Sequence, residues 1–374
     1  MGIDTILLKT ASRCNINCTY CYIYNLGDTG WQRQPKVMST SVVESVIDNL
    51  GDLSRSQSNG FSVVLHGGEP LLLGLKKLTR LLCGLRSVLP RCCTLSIQTN
   101  GILIDDALLD LCSETRTTIA VSMDGPPGVH NRHRLDFSGS GTFEKTVSGM
   151  RRLQNHSDSE FLFSGTLSVI DPGSNPAQVY RFFKNLGTPS MDFLLRDGNR
   201  SRLPAAKKSL ESKEYGEWLV QLFDLYIEDP SPVPIRILDD IVKLILGGLG
   251  SKEGIGSELF SILIIDTDGT VTKNDTLKSS FDGADRFDEP WSVQKHRLHE
   301  IAETRSFREY LRLQRPSSQV CQRCPELGVC GGGMPLYRWN DENGYDNPSV
   351  YCTDHKTLIG HIRSRLRAKL PCPA

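Results

Sequence analysis

The chain has 374 residues, 39% of them hydrophobic, so it has the material for two domains, or one large domain with an appendage, around a sizeable core. Its 43 basic residues balance 43 acidic ones, which argues against a generic basic nucleic-acid-binding surface. No apolar run is long enough to span a bilayer, and the opening residues lack the charged and apolar regions of a signal peptide. Twelve cysteines in such a chain read as metal ligands or reduced thiols of a cytoplasmic protein, with no membrane partner, and not as a disulfide framework.

In chain order, short apolar runs predict strands at Ile3–Leu8, Phe61–Leu65, Thr94–Gln98, Thr117–Ser122, Phe161–Val169 and Met191–Leu195. Amphipathic stretches between them predict helices at Ser41–Leu50, Leu75–Val88, Asp105–Cys112, Thr142–Gln154 and Pro176–Leu186. Ser39 or Thr40 is placed to cap the first helix, and Asp105 or Asp106 the third. Alternating strands and helices argue for a parallel sheet with right-handed crossovers, with fewer units than the eight of a closed barrel. Periodicity alone also permits an open doubly wound sheet. Residues 198–210 are polar and irregular, and helices are expected next at Lys213–Tyr226 and Ile235–Leu246. Asp268-Gly269 between the β-prone runs Phe260–Ile265 and Thr270–Lys273 signals a hairpin. A helix at His299–Leu313 leads into a cysteine-rich segment, and Lys356–Arg367 reads as a final helix.

Cys14, Cys18 and Cys21 follow the first strand in C-x3-C-x2-C spacing. A cubane iron–sulfur cluster normally takes four protein thiolates, so three leave one iron open to an exchangeable ligand. A zinc loop and three unrelated cysteines are the alternatives. After the second strand comes His66-Gly67-Gly68-Glu69-Pro70, two glycines that let backbone approach a ligand and a carboxylate that suits an ammonium group. Gln98-Thr99-Asn100-Gly101 and Ser122-Met123-Asp124-Gly125 end the third and fourth strands with polar groups suited to ribose hydroxyls. Ligands bind at that end of barrel strands. Cys321, Cys324, Cys330 and Cys352 form a second, four-thiol pattern, and Gly331-Gly332-Gly333 beside it frees amides toward sulfur. On spacing alone this site suits zinc as well as an iron–sulfur cluster. Cys83 and Cys112 read as core residues, and Cys92, Cys93 and Cys372 as bystanders.

The cysteine loop, Gly67-Gly68-Glu69-Pro70 and Ser122-x-Asp124-Gly125 together resemble the radical S-adenosylmethionine (SAM) enzymes. The resemblance covers nearly the whole chain. It implies an α/β fold, a partial (β/α)6 TIM-like barrel, in which a [4Fe–4S] cluster on Cys14, Cys18 and Cys21 chelates SAM through its open iron. Electron transfer then cleaves SAM to a 5′-deoxyadenosyl radical. It further implies that Gly67, Gly68 and Glu69 hold the SAM amino group and that Ser122 and Asp124 meet its ribose or methionine part. Tyr20 lies where the family places an aromatic near adenine, and Arg134 is a candidate for the SAM carboxylate. Leu195 is a candidate for the other adenine face, with a plain core role as its alternative.

The C-terminal cysteines are similar to the second half of a SPASM domain, the auxiliary-cluster extension of peptide-modifying radical SAM enzymes. The complete pattern has seven cysteines for two auxiliary clusters. Here no cysteine lies between Cys112 and Cys321, and Asn274 and Met334 occupy two ligand positions. The resemblance therefore implies one auxiliary [4Fe–4S] cluster, on Cys321, Cys324, Cys330 and Cys352, and two clusters in all. It divides the chain into a barrel over 1–200, a linker and helical insert over 201–255 and a SPASM-type auxiliary-cluster domain over 256–374.

Within the family the chain most resembles the cyclophane-forming maturases of ribosomal precursor peptides (RiPPs), through Leu65–Leu71, Asp268–Lys278 and Gly331–Cys352. That implies an oxidoreductase joining an aromatic ring to a side-chain Cβ, with Asp275 as the base that restores aromaticity. The expected partners are a precursor peptide and a reductant such as flavodoxin or ferredoxin. With no leader-binding domain fused at the N-terminus, the leader would dock on the barrel, on the helical insert or on a separate leader-binding protein. The rival readings are an anaerobic sulfatase-maturing enzyme, which makes formylglycine, and a catalytically silent metal-binding scaffold.

Overall fold

A computed structural model describes residues 2–369, and Cys372 lies outside them. The described chain forms two compact units, each assembled from separate stretches of sequence. The first comprises Met1–Met123, His130–Thr166 and Phe260–Leu311, and the second Asp124–Val129, Leu167–Leu259 and Arg312–Ala374. Among the described residues no helix is long and apolar enough to cross a membrane.

The strands are β1 (Thr5–Ala11), β2 (Asn17–Cys18), β3 (Ser62–Gly67), β4 (Thr94–Thr99), β5 (Thr117–Ser122), β6 (Arg134–Leu135), β7 (Phe163–Val169), β8 (Met191–Leu194), β9 (Ile262–Ile265), β10 (Thr270–Thr272) and β11 (Trp291–Ser292). In the first unit the sheet order is β11-β10-β9-β1-β3-β4-β5, then β7, whose residues through Thr166 belong to this unit. Pairings β1–β3, β3–β4 and β4–β5 are all parallel. The helices between them confirm the strand–helix alternation of a partial barrel. Ser39 caps helix Thr40–Ser56 by accepting the Val42 N–H, and Asp105 caps Asp106–Glu114 by accepting the Leu108 N–H. Helix Leu75–Val88 has the expected bounds.

An all-parallel sheet is usually buried on both faces. Here burial alternates along β3, β4 and β5, so one face is closed and the other partly open. His66, Gln98 and Ser122 lie on the open face, and Lys9 of β1 is the register partner of His66. The sheet face thus gathers polar groups from consecutive strands at one end.

Several expectations change: Cys83, read as core, is exposed, and Phe161 and Leu162 belong to the short helix Ser159–Leu162 and not to the strand. The Asp268-Gly269 hairpin forms, with Gly269 at φ 86° and its N–H donating to the Asp266 carbonyl at 2.9 Å. Its first strand, β9, is also a member of the main sheet, parallel to β1, with Leu8 opposite Ile265. The helix expected at His299–Leu313 is two helices, Leu298–Ala302 and Arg305–Leu313. Thr304 makes the break: its hydroxyl donates to the Ile301 carbonyl at 2.8 Å and accepts the Phe307 N–H at 3.1 Å, which ends one helix and starts the next.

In the second unit, helices Glu214–Glu228 and Cys352–Lys369 meet at Gly216, where a Cβ would lie 2.7 Å from the Asp354 backbone. Lys207 and Asp354 pair at 2.6 Å with both side chains fully buried. Asp354 also accepts the Gly216 N–H at 2.8 Å. This pair anchors the helix that begins at Cys352. Removing one partner of a buried pair strands the other charge, so Asp354→Ala is expected to lose about 3–5 kcal/mol. Urea unfolding of the variant measures it, and Lys207→Met/Asp354→Leu should recover much of the loss.

Candidate active site

The cysteine loop leaves β1 and is pinned in two ways. Cys18, on β2, pairs with Arg134 of β6. Cys21 donates its N–H to the Cys18 carbonyl at 3.0 Å and caps the short helix Tyr22–Asn25. Burial pushes the Cys14 thiol up to about 12, against the Ile16 N–H, and Glu69, Cys18 and Cys21 raise it further. Burial likewise pushes Cys21 up to about 11, against the Tyr24 and Ile23 N–H groups, with Cys18 adding to the rise. The thiols therefore lie within each other's electrostatic reach, with backbone donors aimed at the sulfurs. That donor set fits a thiolate-ligated cluster, whose binding would release the protons.

Glu69 is fully buried at the end of β3. Its carboxylate accepts the Leu71 N–H at 3.1 Å, the Thr99 hydroxyl at 2.7 Å and the Asn100 N–H at 2.9 Å. Burial raises its pKa and these donors oppose the rise. Asn100 also donates to the Asn15 side chain at 2.7 Å, tying β4 to the cysteine loop. A Cβ at Gly67 would meet the Ala11 carbonyl at 2.1 Å, and one at Gly68 the Tyr24 hydroxyl at 2.0 Å and the Arg13 carbonyl at 2.3 Å. The space these glycines leave is taken by the chain itself, so they seat the cysteine loop against β3.

Buried Arg134 donates to the Tyr20 hydroxyl at 2.8 Å, which joins two of the expected SAM contacts. Ser122 accepts from the Gln98 side chain at 2.8 Å. Asp124 and Leu195 belong to the second unit. There Asp124 accepts the Val169 N–H at 3.1 Å, and buried Leu195 lends its carbonyl to the Tyr337 hydroxyl at 3.3 Å.

Asp275 is only 1% exposed. Its Oδ2 pairs with the Lys9 ammonium at 2.7 Å and accepts the Tyr22 hydroxyl at 3.0 Å. Burial alone would raise its pKa, but Lys9 and then His66 pull it down to about 2. Lys9, 4% exposed, is 3.8 Å from Asp266 as well, and these anions overcome burial and hold it charged. The sequence reading missed Lys9, Tyr22 and the electrostatic role of His66. A charged residue ending the apolar run Ile6–Leu8 was the available signal. Asn274, at the lost ligand position, caps the turn Asp275–Ser279 by accepting the Thr276 N–H at 3.0 Å.

The second unit holds Cys321, Cys324, Cys330 and Cys352. Burial pushes Cys330 up to about 12, against the Gly332 N–H, while the other three cysteines raise it. Gly331, Gly332 and Gly333 all have positive φ, and a Cβ at Gly331 would lie 2.0 Å from the Gly256 carbonyl. Arg338 is 1% exposed, bonds only to the Leu313 and Gln314 carbonyls and has no carboxylate partner among the described residues. Burial lowers its pKa, and the ionisable groups that oppose this are Cys321, Tyr345 and Cys330. A buried cation that lacks a counter-ion beside four thiols fits a thiolate-bound centre. Among the described residues no three His, Cys, Asp or Glu side chains are grouped as one metal ion would require.

The Radical SAM superfamily model matches residues 8–186. The chain is 29% identical to a cysteine-type anaerobic sulfatase-maturating enzyme of Clostridium perfringens, over 97% of each chain. It is 23% identical to an uncharacterized Synechocystis protein, over 92% of this chain and 86% of that one. The structure of anSMEcpe with bound AdoMet superposes with a TM-score of 0.85 at 26% identity, covering 98% of both chains. SuiB bound to its precursor peptide SuiA shares the fold, with a TM-score of 0.65 at 12% identity over 94% of this chain and 76% of that one. The partial-barrel expectation is borne out. Sulfatase-maturating enzymes are among the named proteins that match along nearly the full length.

The depressed Asp275 pKa has a defined stability signature. Its contribution is complete above the ordinary carboxyl value of 3.8 and is lost as pH falls toward about 2. Asp275→Asn is therefore expected to be less stable than wild type at neutral pH, with the gap closing as pH drops through that window. Denaturant titrations across acid pH read this directly.

Proposed function

We propose that this chain oxidises a residue of a peptide at its side-chain Cβ. The observation that carries the reading is the full-length match to the sulfatase-maturating enzymes, 29% identical over 97% of each chain. Cys14, Cys18 and Cys21 would hold a SAM-binding [4Fe–4S] cluster, and Cys321, Cys324, Cys330 and Cys352 an auxiliary one. Bound together, cluster and SAM supply a 5′-deoxyadenosyl radical able to take a hydrogen atom from carbon. Glu69 supplies the acceptor for the SAM ammonium, and Arg134, fixed to Tyr20, the cation for its carboxylate. Ser122 provides a polar contact. A flavodoxin- or ferredoxin-type reductant would deliver the electron.

The relatives favour formylglycine as the product: a cysteine or serine side chain of the peptide becomes an aldehyde. A second reading, a ring-to-Cβ cyclophane crosslink in a ribosomal precursor peptide, has its own support. The first auxiliary ligand set is lost as a group, with no cysteine between Cys112 and Cys321. Asn274 and Met334 serve instead as caps of the segments Asp275–Ser279 and Pro335–Arg338. Tandem mass spectrometry of the product separates the readings, because a formylglycine carries an aldehyde that reacts with hydrazides and a crosslinked peptide does not.

Two clusters predict about eight irons per chain after anaerobic reconstitution. Replacing Cys14, Cys18 and Cys21 with alanine should leave about half of that iron and abolish 5′-deoxyadenosine release. Stoichiometric zinc in place of iron at the second site would assign it to a structural zinc centre.

A further inference from the structure

The oxidation proposed above needs a proton acceptor whichever product forms, and this inference rests on that reading. After a hydrogen atom leaves Cβ, one electron and one proton must follow. From serine or cysteine, the O–H or S–H bond breaks as the C=O or C=S bond forms. The C=S product is then hydrolysed to the aldehyde, releasing hydrogen sulfide. From an arene adduct, the ring C–H bond breaks as aromaticity returns. In each case the electron would pass to an oxidised iron–sulfur centre, the oxidant this reading supplies.

Few groups in the first unit suit the proton. Gln98 and Ser122 are not bases. Lys9 is held as a cation by Asp275 at 2.7 Å and Asp266 at 3.8 Å. Asp275 is a poor acceptor for a geometric reason. Protonating it would break its bond to the buried Lys9 ammonium and leave that charge with the more distant Asp266 alone. His66 differs from all of these. It stands opposite Lys9 in the sheet register, on the partly open face. Among the described residues its Nδ1 is buried with no hydrogen-bond partner.

We propose that His66 takes the proton and that Asp275, clamped by Lys9 and Tyr22, is the fixed anion that stabilises the imidazolium as it forms. Burial keeps the resting ring neutral, Asp275 works against burial, and Lys9 reinforces it. The ring is therefore unprotonated before the reaction, with a free nitrogen for the proton, and has a counter-charge in reach during it. This makes Asp275 a positioning residue and not the base. The proton then leaves to water.

The test uses the reconstituted holoenzyme with SAM and peptides deuterated at Cβ of cysteine, of serine and of the residue two places after an aromatic. Deuterium in 5′-deoxyadenosine reports hydrogen abstraction, and its ratio to product isolates the later proton step. In His66→Gln and His66→Gly this ratio of product to deuterated 5′-deoxyadenosine should fall about 100-fold, the lower end of a general base's contribution. Added imidazole should restore part of it in His66→Gly. Asp275→Asn should lower the ratio without responding to imidazole, and Asp275→Glu should recover part. An unchanged ratio in both His66 variants overturns the inference. So does loss of deuterium transfer together with product at full iron content, which would assign the ring to SAM binding. No deuterium in wild-type 5′-deoxyadenosine from any of the peptides would overturn the function reading itself, and this inference with it.

Discussion

The buried ion pair between Lys9 and Asp275 is the constraint around which the first unit is built. Moving two charges out of water costs several kcal/mol each, and only close geometry offsets it. That geometry needs β9 to lie parallel to β1 and the turn at Asp275–Ser279 to follow the hairpin. The Tyr22 hydroxyl adds a third group from the helix beside the cysteine loop. A hydrophobic pair would fill the same space at lower cost. Retention of charge at the open sheet face is therefore better explained by chemistry than by stability.

Close backbone approach is the second theme. Gly67 and Gly68 permit contacts that any side chain would block, and they bring the cysteine loop onto the end of β3. Glu69 follows directly, and its carboxylate gathers donors from its own segment and from the end of β4. One tetrapeptide thus orders the loop that carries the thiols and the strand ends beside it. The same device recurs in the second unit, where Gly331 meets the Gly256 carbonyl and Gly332 offers its amide to Cys330.

The second unit solves a different electrostatic problem. Among the described residues Arg338 is buried without a carboxylate partner, while Lys207 and Asp354 are buried as a pair. The pair fixes the helix that starts with Cys352, and the guanidinium lies near Cys321 and Cys330. Four thiols bring four potential negative charges to one place, and Arg338, with Lys356 and Arg200, offsets part of that charge.

Much of this was legible in the sequence because it is local. Strand β5, helix Leu75–Val88 and the caps Ser39 and Asp105 follow from side-chain period and from oxygen atoms within a turn of the amides they bind. The cysteine loop is equally local, since its three thiols lie within eight residues. The split at Thr304 was missed because the apolar period runs through it, and only the bonds of one hydroxyl break the helix. What the tertiary structure alone decided is which distant groups meet. Lys9 finds Asp275, Glu69 finds Thr99 and Asn100, and His66 stands beside Lys9 because of strand order and register. Those depend on how the whole sheet pairs, and no residue's immediate neighbours along the chain encode that.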